Sequence, residues 1–288
     1  MALKTMSSSY NVKKTILFND DTTALQALQQ NTIQFMTESV PPASKALAQL
    51  PNIIAVGTRA NNQWDMVSKA DITDCNQLSG KRLGLFSKTG VSTAYVNMYL
   101  KANCPNAKPQ IVIIPDSGLR RQALEAGQLD ATPLQATDSV QILNGSDKAK
   151  FHELVNFATA LPGIGRDLLL TNKQTLQNHP DVVEAFLAAQ LKAIRQIYSD
   201  PSQIPELMTT YLPGAVPTDQ AAAIGDYFVQ RKLFCANGGV SDSGIADELK
   251  AFQQGGFSPN SVTMQQLVDP TPMQKVLTSI GKSDTTSC

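Results

Sequence analysis

Short apolar runs alternate with segments of helical spacing through about the first 170 residues, and this alternation constrains the fold more than any other feature of the chain. Segments between the runs, such as ALQALQQ, STAYVNMYLK and LRRQALEAG, repeat their apolar residues at helical intervals. Strands that alternate with helices predict an α/β fold with a mostly parallel sheet covered by helices. After Asp167 the pattern predicts helices joined by Pro and Gly turns. The runs with strand character are KKTILF, TIQFM, NIIAVGT, DMVSK, KRLGLF, QIVIIP and DLLLT.

Two interruptions divide this pattern into two lobes. The polar stretch KADITDCNQLSGK separates two strand-helix sets near Ala70-Asp71, and LPG at 161–163 breaks the chain before DLLLT. Lobe I is therefore expected to comprise residues 1–70 and 163–288, with residues 71–162 inserted as lobe II. Both lobes have ordinary domain size, and the two crossovers between them would form a hinge.

The charge balance and the hydrophobic pattern exclude two classes of partner. Lys and Arg total 24, as do Asp and Glu, so the chain lacks the excess positive charge that binds a phosphate backbone. Nucleic acid is therefore not expected as a partner. The apolar stretches are far shorter than the roughly 20 residues that cross a bilayer, and MALKTMSSSY lacks the apolar core of an export signal. No segment of this sequence is expected to span a membrane.

The sequence lacks the signatures of the common catalytic sites. It contains no G-x-S-x-G elbow, H-E-x-x-H helix, phosphate-binding P-loop or dinucleotide-binding glycine motif. Histidine is the most frequent general base, and the two histidines, His152 and His179, both follow turn signals. These absences favour a protein that is not an enzyme and that binds no cofactor.

Four cysteines are widely spaced and include no C-x-x-C pair, which argues against a metal site. Cys75 and Cys104 each precede a predicted strand of lobe II, so a disulfide between them is the favoured pairing. The alternative is that Cys75, Cys104, Cys235 and Cys288 are all reduced thiols.

The turn SKTGVSTAY follows the strand KRLGLF and opens a helix. A glycine among hydroxyl residues at a helix N-terminus presents backbone amides and side-chain donors to an anion or polar group. An ordinary helix cap would need only one hydroxyl, so the group favours ligand binding over capping alone. The candidate residues are Thr89, Gly90, Val91, Ser92 and Thr93.

Two further turns follow strands in the same way. TESVPPASKAL places Thr37 and Ser39 at a strand end of lobe I, and PLQATDSV places Gln135, Thr137 and Asp138 at one of lobe II. Ligands of open α/β sheets bind at the carboxyl ends of the strands, so these turns are expected to line a cleft between the lobes.

Two large side chains near the crossovers complete the candidate site. Trp64 is either a packing anchor or a ring that stacks on the ligand. Arg166 either binds an anion by a bidentate contact or forms a salt bridge at the hinge.

Several stretches resemble, in this order, the solute-binding proteins of the nitrate, sulfonate and taurine type in ABC import systems, a group that includes thiamine-precursor binders. The resemblance covers nearly the whole chain from Asn11. It implies a type II periplasmic binding fold that holds a small polar or anionic ligand, such as a sulfonate, nitrate, taurine or a pyrimidine-like molecule, in the interlobe cleft. The stretches are ALQALQQNTIQFM, ITDCNQLSGKRLGLFSKTGVSTAY, IIPDSGLRRQALEAGQLDATPLQATDSV, NHPDVVEAFLAAQLKAIRQIY and LVDPTPMQKVLTSIGK.

The resemblance also implies a partner and a location. The protein would be periplasmic or anchored at the cell surface, present its ligand to a membrane permease, and act as a monomer. The family usually begins with a strand before its first helix. Here ALKTMSSSYNV is similar to the later part of that helix, so the first strand and a signal peptide are expected to be missing.

Two alternatives remain open on the same fold. One is an enzyme like those of pyrimidine biosynthesis, although the cysteine cluster and active-site histidine of those enzymes have no counterpart here. The other is a cytoplasmic ligand-sensing domain, which the absence of an export signal favours.

Overall fold

A computed structural model of the chain describes residues 2–7, 9–13, 15–16, 18, 20–88, 90–211, 216–240, 242–285 and 288. No helix in these ranges is both long and apolar enough to cross a membrane. The strands are β1 (Phe35–Ser39), β2 (Ile53–Ala60), β3 (Trp64–Lys69), β4 (Arg82–Leu85), β5 (Gln110–Ile113), β6 (Ala131–Gln135), β7 (Phe151–Asn156) and β8 (Asp167–Asn172). The helices are α1 (Ala2–Met6), α2 (Asp21–Gln29), α3 (Val40–Leu47), α4 (Val91–Asn103), α5 (Ser117–Glu125), α6 (Ala136–Asn144), α7 (Phe157–Ala160), α8 (Lys173–Asn178), α9 (Pro180–Ser199), α10 (Ile204–Tyr211), α11 (Ala221–Gln230), α12 (Asp242–Gln254), α13 (Met264–Leu267) and α14 (Thr271–Ile280).

The chain folds into two compact units that differ in part from the predicted lobes. Unit 1 comprises residues 1–61, 163–200 and 232–288, and unit 2 comprises residues 62–162 and 201–231. The chain therefore passes between the units four times, where the sequence predicted two crossovers.

Unit 1 contains a three-stranded sheet in the order β1-β8-β2. Its longest helix is α9, which begins at Pro180, where proline fits the first turn. Val183 and Leu187 are four residues apart and fully buried, so α9 turns one apolar stripe towards the core. That stripe packs in one cluster with Leu169 of β8 and Met273 of α14.

Unit 2 contains a five-stranded sheet in the order β5-β4-β6-β3-β7. Helices α5 and α6 each place apolar residues at helical spacing against it. Leu124 of α5 and Ile142 of α6 lie in one buried cluster with Val67 of β3 and Leu134 of β6. This cluster holds the helices that follow β5 and β6 against the sheet.

The strand directions correct the prediction of a mostly parallel sheet. Only β4 is paired in parallel, with β5 and with β6, whereas the remaining strand pairs of the described residues are antiparallel. Strands β3 and β8 are each the first strand after the chain passes from one unit to the other, and each runs opposite to its neighbours. The predicted strand KKTILF also departs from the structure. Its described residues, 13, 15, 16 and 18, are not in a strand.

The first unit boundary lies earlier than the predicted one because β3 belongs to unit 2. This strand pairs along its length with both β6 and β7, so the chain enters unit 2 at Asn62 and not at Asp71. The boundary between Pro162 and Gly163 coincides with the Pro-Gly interruption of the sequence.

Residues 201–231 join unit 2 through buried polar contacts, although the sequence placed them in lobe I. The Tyr227 hydroxyl donates to the carboxylate of Asp65, a fully buried residue of β3. Asn156 of β7 donates to the same carboxylate at 2.6 Å. Arg231 lies 2.8 Å from Glu153, also on β7. Helix α11 is thereby fastened to the strands of unit 2.

Each unit contains one disulfide. Cys75 bonds to Cys104 in unit 2, which is the pair favoured from the sequence. Cys235 bonds to Cys288 in unit 1 and ties the end of the chain back to the segment that follows residue 231.

Candidate functional site

Candidate residues from three strands of unit 2 meet at one edge of its sheet. Because β4 and β6 are parallel neighbours, both end at this edge. Strand β3 is antiparallel to β6 and begins there, so that Trp64 pairs with Gln135. The topology thus brings Trp64, Gln135 and the turn after β4 to the same edge, which is the usual location of ligands in such sheets.

Two helices begin at this edge without a side-chain cap. Gly90 precedes α4 and Gln135 precedes α6, and neither helix has a side-chain hydrogen bond from its capping residue. The first backbone N–H groups of a helix have no partner within the helix, and its N-terminus carries a partial positive charge. The edge can therefore accept negative charge or hydrogen-bond acceptors.

Gly90 is needed for space and not for an unusual backbone angle. Its φ is −72°, which any residue can adopt. A Cβ at this position would lie 2.7 Å from the Phe86 ring and 3.0 Å from the Ser87 hydroxyl. The glycine keeps the turn compact where α4 starts.

The two hydroxyl residues that follow have different roles. Thr93 is buried, and its Oγ1 donates to the Ser87 carbonyl at 2.6 Å, so it closes the turn. Ser92 is 1% exposed, and its Oγ has no hydrogen-bond partner among the described residues. Of the other residues predicted in this turn, Val91 is the first residue of α4 and Thr89 lies outside the described residues.

The residues predicted after β6 are largely engaged within the protein. The Gln135 N–H donates to Ser117 Oγ at 3.1 Å. The carbonyl of Thr137 accepts a bond from Gln141, and the Thr137 side chain is half-buried. The Asp138 carboxylate lies 3.3 Å from Arg121 Nε. Asp138 is therefore one half of an ion pair and not a free acceptor.

Arg120 is a residue of this edge that the sequence analysis did not identify. It is fully buried, and its guanidinium donates to the carbonyls of Ile114 at 2.8 Å and Pro133 at 3.2 Å, after β5 and within β6. Its Nη2 has no hydrogen-bond partner among the described residues. Burial lowers the Arg120 pKa to about 10. The guanidinium also lies 5.9 Å from the centroid of the Trp64 ring, which gives Trp64 a packing partner.

A signal for Arg120 was present in the sequence. Ala123 and Leu124 follow it at intervals of three and four residues, and both are buried. This spacing places Arg120 on the core face of α5, where an arginine is rarely fully buried without a partner.

In unit 1, Thr37 and Ser39 lie in β1 beside a residue that the sequence analysis passed over, Glu38. The Glu38 carboxylate accepts bonds from the Ser39 N–H at 2.7 Å and the Ser39 hydroxyl at 3.0 Å. Burial, together with the nearby charge of Asp21, raises the Glu38 pKa to about 8. The Ser39 hydroxyl is thus occupied, while Thr37 remains exposed.

Unit 1 also contains a cavity of about 900 Å³ that Thr37 and Glu38 line. The Phe35 and Phe186 rings, stacked with centroids 4.0 Å apart, form part of its apolar wall, and Arg59 contributes a charge. Arg59 is itself paired with Asp167. The Arg59 Nε is nevertheless buried without a hydrogen-bond partner among the described residues, so the cavity combines an aromatic wall with one donor that is not bonded.

Arg166, for which the sequence left open an anion contact or a salt bridge at the hinge, makes its described contacts within unit 1. Its backbone N–H donates to Glu248 at 3.1 Å, and its guanidinium donates to the Gly163 carbonyl and lies 3.9 Å from the Glu248 carboxylate. Glu248 is fully buried, and this burial raises its pKa to about 7. Arg166 and Glu248 together hold the segment 163–166 within unit 1.

A sequence model described as NMT1/THI5 like matches residues 11–204. No curated protein sequence shows a significant match.

Solved structures that resemble the chain share little sequence with it. The ligand-binding component of an ABC-type import system from Staphylococcus aureus, solved with zinc bound, is 16% identical with a TM-score of 0.73, over 96% of this chain and 93% of that one. The alkanesulfonate-binding protein SsuA from Xanthomonas axonopodis pv. citri, bound to MOPS, is 14% identical with a TM-score of 0.71, over 93% and 91%. The desulfurization enzyme DSZB is 12% identical with a TM-score of 0.63, over 85% of each chain. At these identities the similarity establishes the fold, and the α/β periplasmic-binding-protein fold predicted from the sequence is confirmed.

Proposed function

Because this chain belongs to the NMT1/THI5-like family, we propose that it is the solute-binding component of an ABC importer and binds a small organic anion at the carboxyl edge of the unit 2 sheet. The observation that carries the proposal is a pair of buried donors without partners, Ser92 Oγ and Arg120 Nη2. They belong to elements that meet at the edge where α4 and α6 begin.

The energetics of these donors favour an anionic ligand. A buried donor without a partner costs roughly 1–3 kcal/mol relative to one that is bonded. A sulfonate or carboxylate presents several acceptor oxygens, and it also meets the positive ends of two helices. A ligand of this class would satisfy groups that the protein alone leaves unbonded.

An extracytoplasmic location agrees with the two disulfides, since such bonds persist mainly in oxidising compartments. A soluble receptor in that compartment would deliver its solute to a membrane permease. In this proposal the residues of the edge serve only to bind and release the solute.

The first test is calorimetric titration with alkanesulfonates, taurine, nitrate, carboxylates and pyrimidines. A ligand at 100 times its dissociation constant should stabilise the fold by about 2.7 kcal/mol, measured as a rise in melting temperature. Because the enzyme DSZB has the same fold, the bound compound should also be recovered and its mass measured by mass spectrometry, to determine whether it has been changed. Conversion of the compound to a product would support an enzyme and contradict the receptor.

The variant Ser92→Ala tests the site. Loss of a hydroxyl that bonds a charged ligand should cost about 1.5–3 kcal/mol, or at least a tenfold loss of affinity. The melting temperature should change little, because Ser92 Oγ bonds no described group in the free protein.

The matched control is Thr93→Ala, which deletes the bond to the Ser87 carbonyl. It should lower stability by about 1 kcal/mol. An unchanged affinity in Ser92→Ala would show that this hydroxyl is outside the ligand site.

A further inference from the structure

Strand β5 lies at one end of the unit 2 sheet, and β4 is its single neighbour there. The N–H of Gln110 donates to the Lys81 carbonyl, and the N–H of Ile114 donates to the Leu85 carbonyl. Successive strand residues alternate in the direction of their backbone groups, so Ile111 and Ile113 direct theirs away from β4. The outward edge of β5 is a row of backbone donors and acceptors, which is a template for another strand.

The side chains on this edge are unusually apolar for an exposed strand. Ile111 is 50% exposed and Ile113 is 43% exposed, and both lie on the same face of the sheet. Val112 and Ile114 lie on the opposite face and pack against the core of unit 2. A strand paired to β5 would place its own side chains beside the two exposed isoleucines on one face of the sheet. On the other face it would add side chains next to Val112 and Ile114.

The sequence around β5 is largely symmetric about one residue, with Gln110 opposite Ile114 as the exception. In KPQIVIIPD, residues 108–116, the centre is Val112. Isoleucine stands on each side of that centre, proline stands three residues away on each side, and the ends are Lys108 and Asp116. Two copies placed antiparallel about Val112 would bring unlike charges together at both ends.

We propose that this edge is a homodimer interface in which β5 pairs antiparallel with β5 of a second copy about Val112. Ile111 of one copy and Ile113 of the other would then exchange both backbone hydrogen bonds, and the same exchange would occur on the other side of Val112. Pro109 and Pro115 have no N–H to offer, so the ladder ends at them.

The charges at the two ends select this partner and this register. Lys108 makes no ion pair within the described residues, and in the dimer it would lie opposite Asp116 of the second copy. Asp116 caps α5 by accepting a bond from the Leu119 N–H, so Lys108 would meet a carboxylate at the start of that helix. A shift of the register by one residue would place the isoleucines of the two copies on opposite faces of the sheet. It would also move Lys108 away from Asp116 of the second copy. The short pairing forms a small interface, so we expect a weak dimer. This proposal differs from the monomer predicted from the sequence.

Sedimentation velocity over a range of protein concentrations tests association of the whole chain. We expect the unchanged protein to form reversible dimers. For Ile113→Pro the dissociation constant of the dimer should be at least tenfold higher. That substitution removes an outward-facing N–H and leaves the ladder with β4 in place. Ile113→Val, which keeps the N–H and an apolar side chain, is the control and should dimerise as before.

Cysteine cross-linking tests the register independently. The described cysteines are all in disulfides, so one introduced thiol is the reactive group. In Val112→Cys the two thiols face each other in a pair whose Cα atoms are about 4.5 Å apart, within disulfide range. In Ile111→Cys the equivalent Cα atoms are about 8 Å apart, which is too far.

Oxidation should therefore convert Val112→Cys, and not Ile111→Cys, to a covalent dimer on a non-reducing gel. A monomer at every concentration would overturn the proposal. So would a dimer that Ile113→Pro leaves intact, or cross-linking that is equal at the two positions.

Discussion

Arg120 and Arg121 are consecutive residues of α5, but only one of them has carboxylates beside its charge. Arg121 lies 3.0 Å from Glu125 and 3.3 Å from Asp138, so two carboxylates neutralise it. Arg120 is fully buried, and no carboxylate of the described residues lies within ion-pair distance of it. A buried charge without a close counter-ion is costly, and a negative ligand would lower that cost. A chain of zero net charge can therefore still contain a local excess of positive charge around one buried residue.

We expect Arg120→Met to discriminate against anions. The variant keeps the unbranched stem of the side chain but removes the guanidinium and its charge. Affinity for an alkanesulfonate should fall at least tenfold, whereas affinity for its uncharged sulfonamide should fall less than about twofold, as measured by calorimetric titration. Some stability will also be lost, because the Ile114 and Pro133 carbonyls lose their donor. Equal losses for the two compounds would show that Arg120 acts only through the fold.

At the scale of elements, α11 depends on a polar anchor for its place in unit 2. Asp65 accepts bonds from Tyr227 and Asn156, and burial raises its pKa, since the charged form loses water. The Tyr227 ring in turn lies 4.7 Å from the Arg231 guanidinium. Residues from β3, β7 and α11 thus form one network, and a change in any of them should affect the others.

We predict that Tyr227→Phe destabilises unit 2 by about 1–3 kcal/mol, because the Asp65 carboxylate loses the Tyr227 hydroxyl as a hydrogen-bond donor while it remains buried. Chemical denaturation followed by circular dichroism measures the loss. Tyr211→Phe is the matched control, since Tyr211 is 53% exposed at the end of α10. Comparable destabilisation by the two variants would contradict the anchor.

At the scale of the whole molecule, buried acids make the stability depend on pH. Burial raises the pKa of Glu38 to about 8 and of Glu248 to about 7, and it also raises the pKa of Asp65 and Glu153. Asp130 is the opposite case, because Arg82 and Lys69 beside it lower its pKa. An acid with a raised pKa binds its proton more tightly in the folded state, so its contribution is full at low pH and is lost as pH rises.

We therefore expect the melting temperature to fall as pH rises from about 4.5, the ordinary glutamate value, to about 8, the value of Glu38. Below about pH 4 the melting temperature should also decrease as the pH falls, because protonation of Asp130 removes its ion pairs with Arg82 and Lys69. For Glu248 alone the loss of stability is roughly 3–4 kcal/mol at most, since its pKa rises from 4.5 to about 7 and each pKa unit is worth about 1.4 kcal/mol.

Scanning calorimetry from pH 3 to 9 measures this profile. The variant Glu248→Gln has no titrating group at position 248. Its melting temperature should therefore differ less between pH 5 and pH 8 than that of the unchanged protein. Glu184→Gln, which removes a carboxylate from an exposed pair with Lys275, controls for the loss of one charge. A melting temperature that rises between pH 5 and pH 8 would contradict the expectation.

The sequence alone determined the features that arise from local spacing. Seven apolar runs predicted strands, and most of them correspond to strands of the structure, because alternation and turn residues act over a few neighbours. The start of α4 at the turn after β4, and the break at Pro162 and Gly163, follow from residues whose backbone preferences are local. The periplasmic-binding fold was implied by the resemblance of several stretches to a known family.

How distant segments meet depends on tertiary packing, which local sequence patterns do not specify. The reversed directions of β3 and β8, the attachment of residues 201–231 to unit 2 and the bond between Cys235 and Cys288 each join parts of the chain far apart in sequence. The same holds for the site. Thr93 and Ser92 are equivalent in the sequence, but one hydroxyl meets the Ser87 carbonyl and the other meets no described group. Periodicity specifies which face of an element is buried, whereas the partner of each buried polar atom depends on the packing of whole elements.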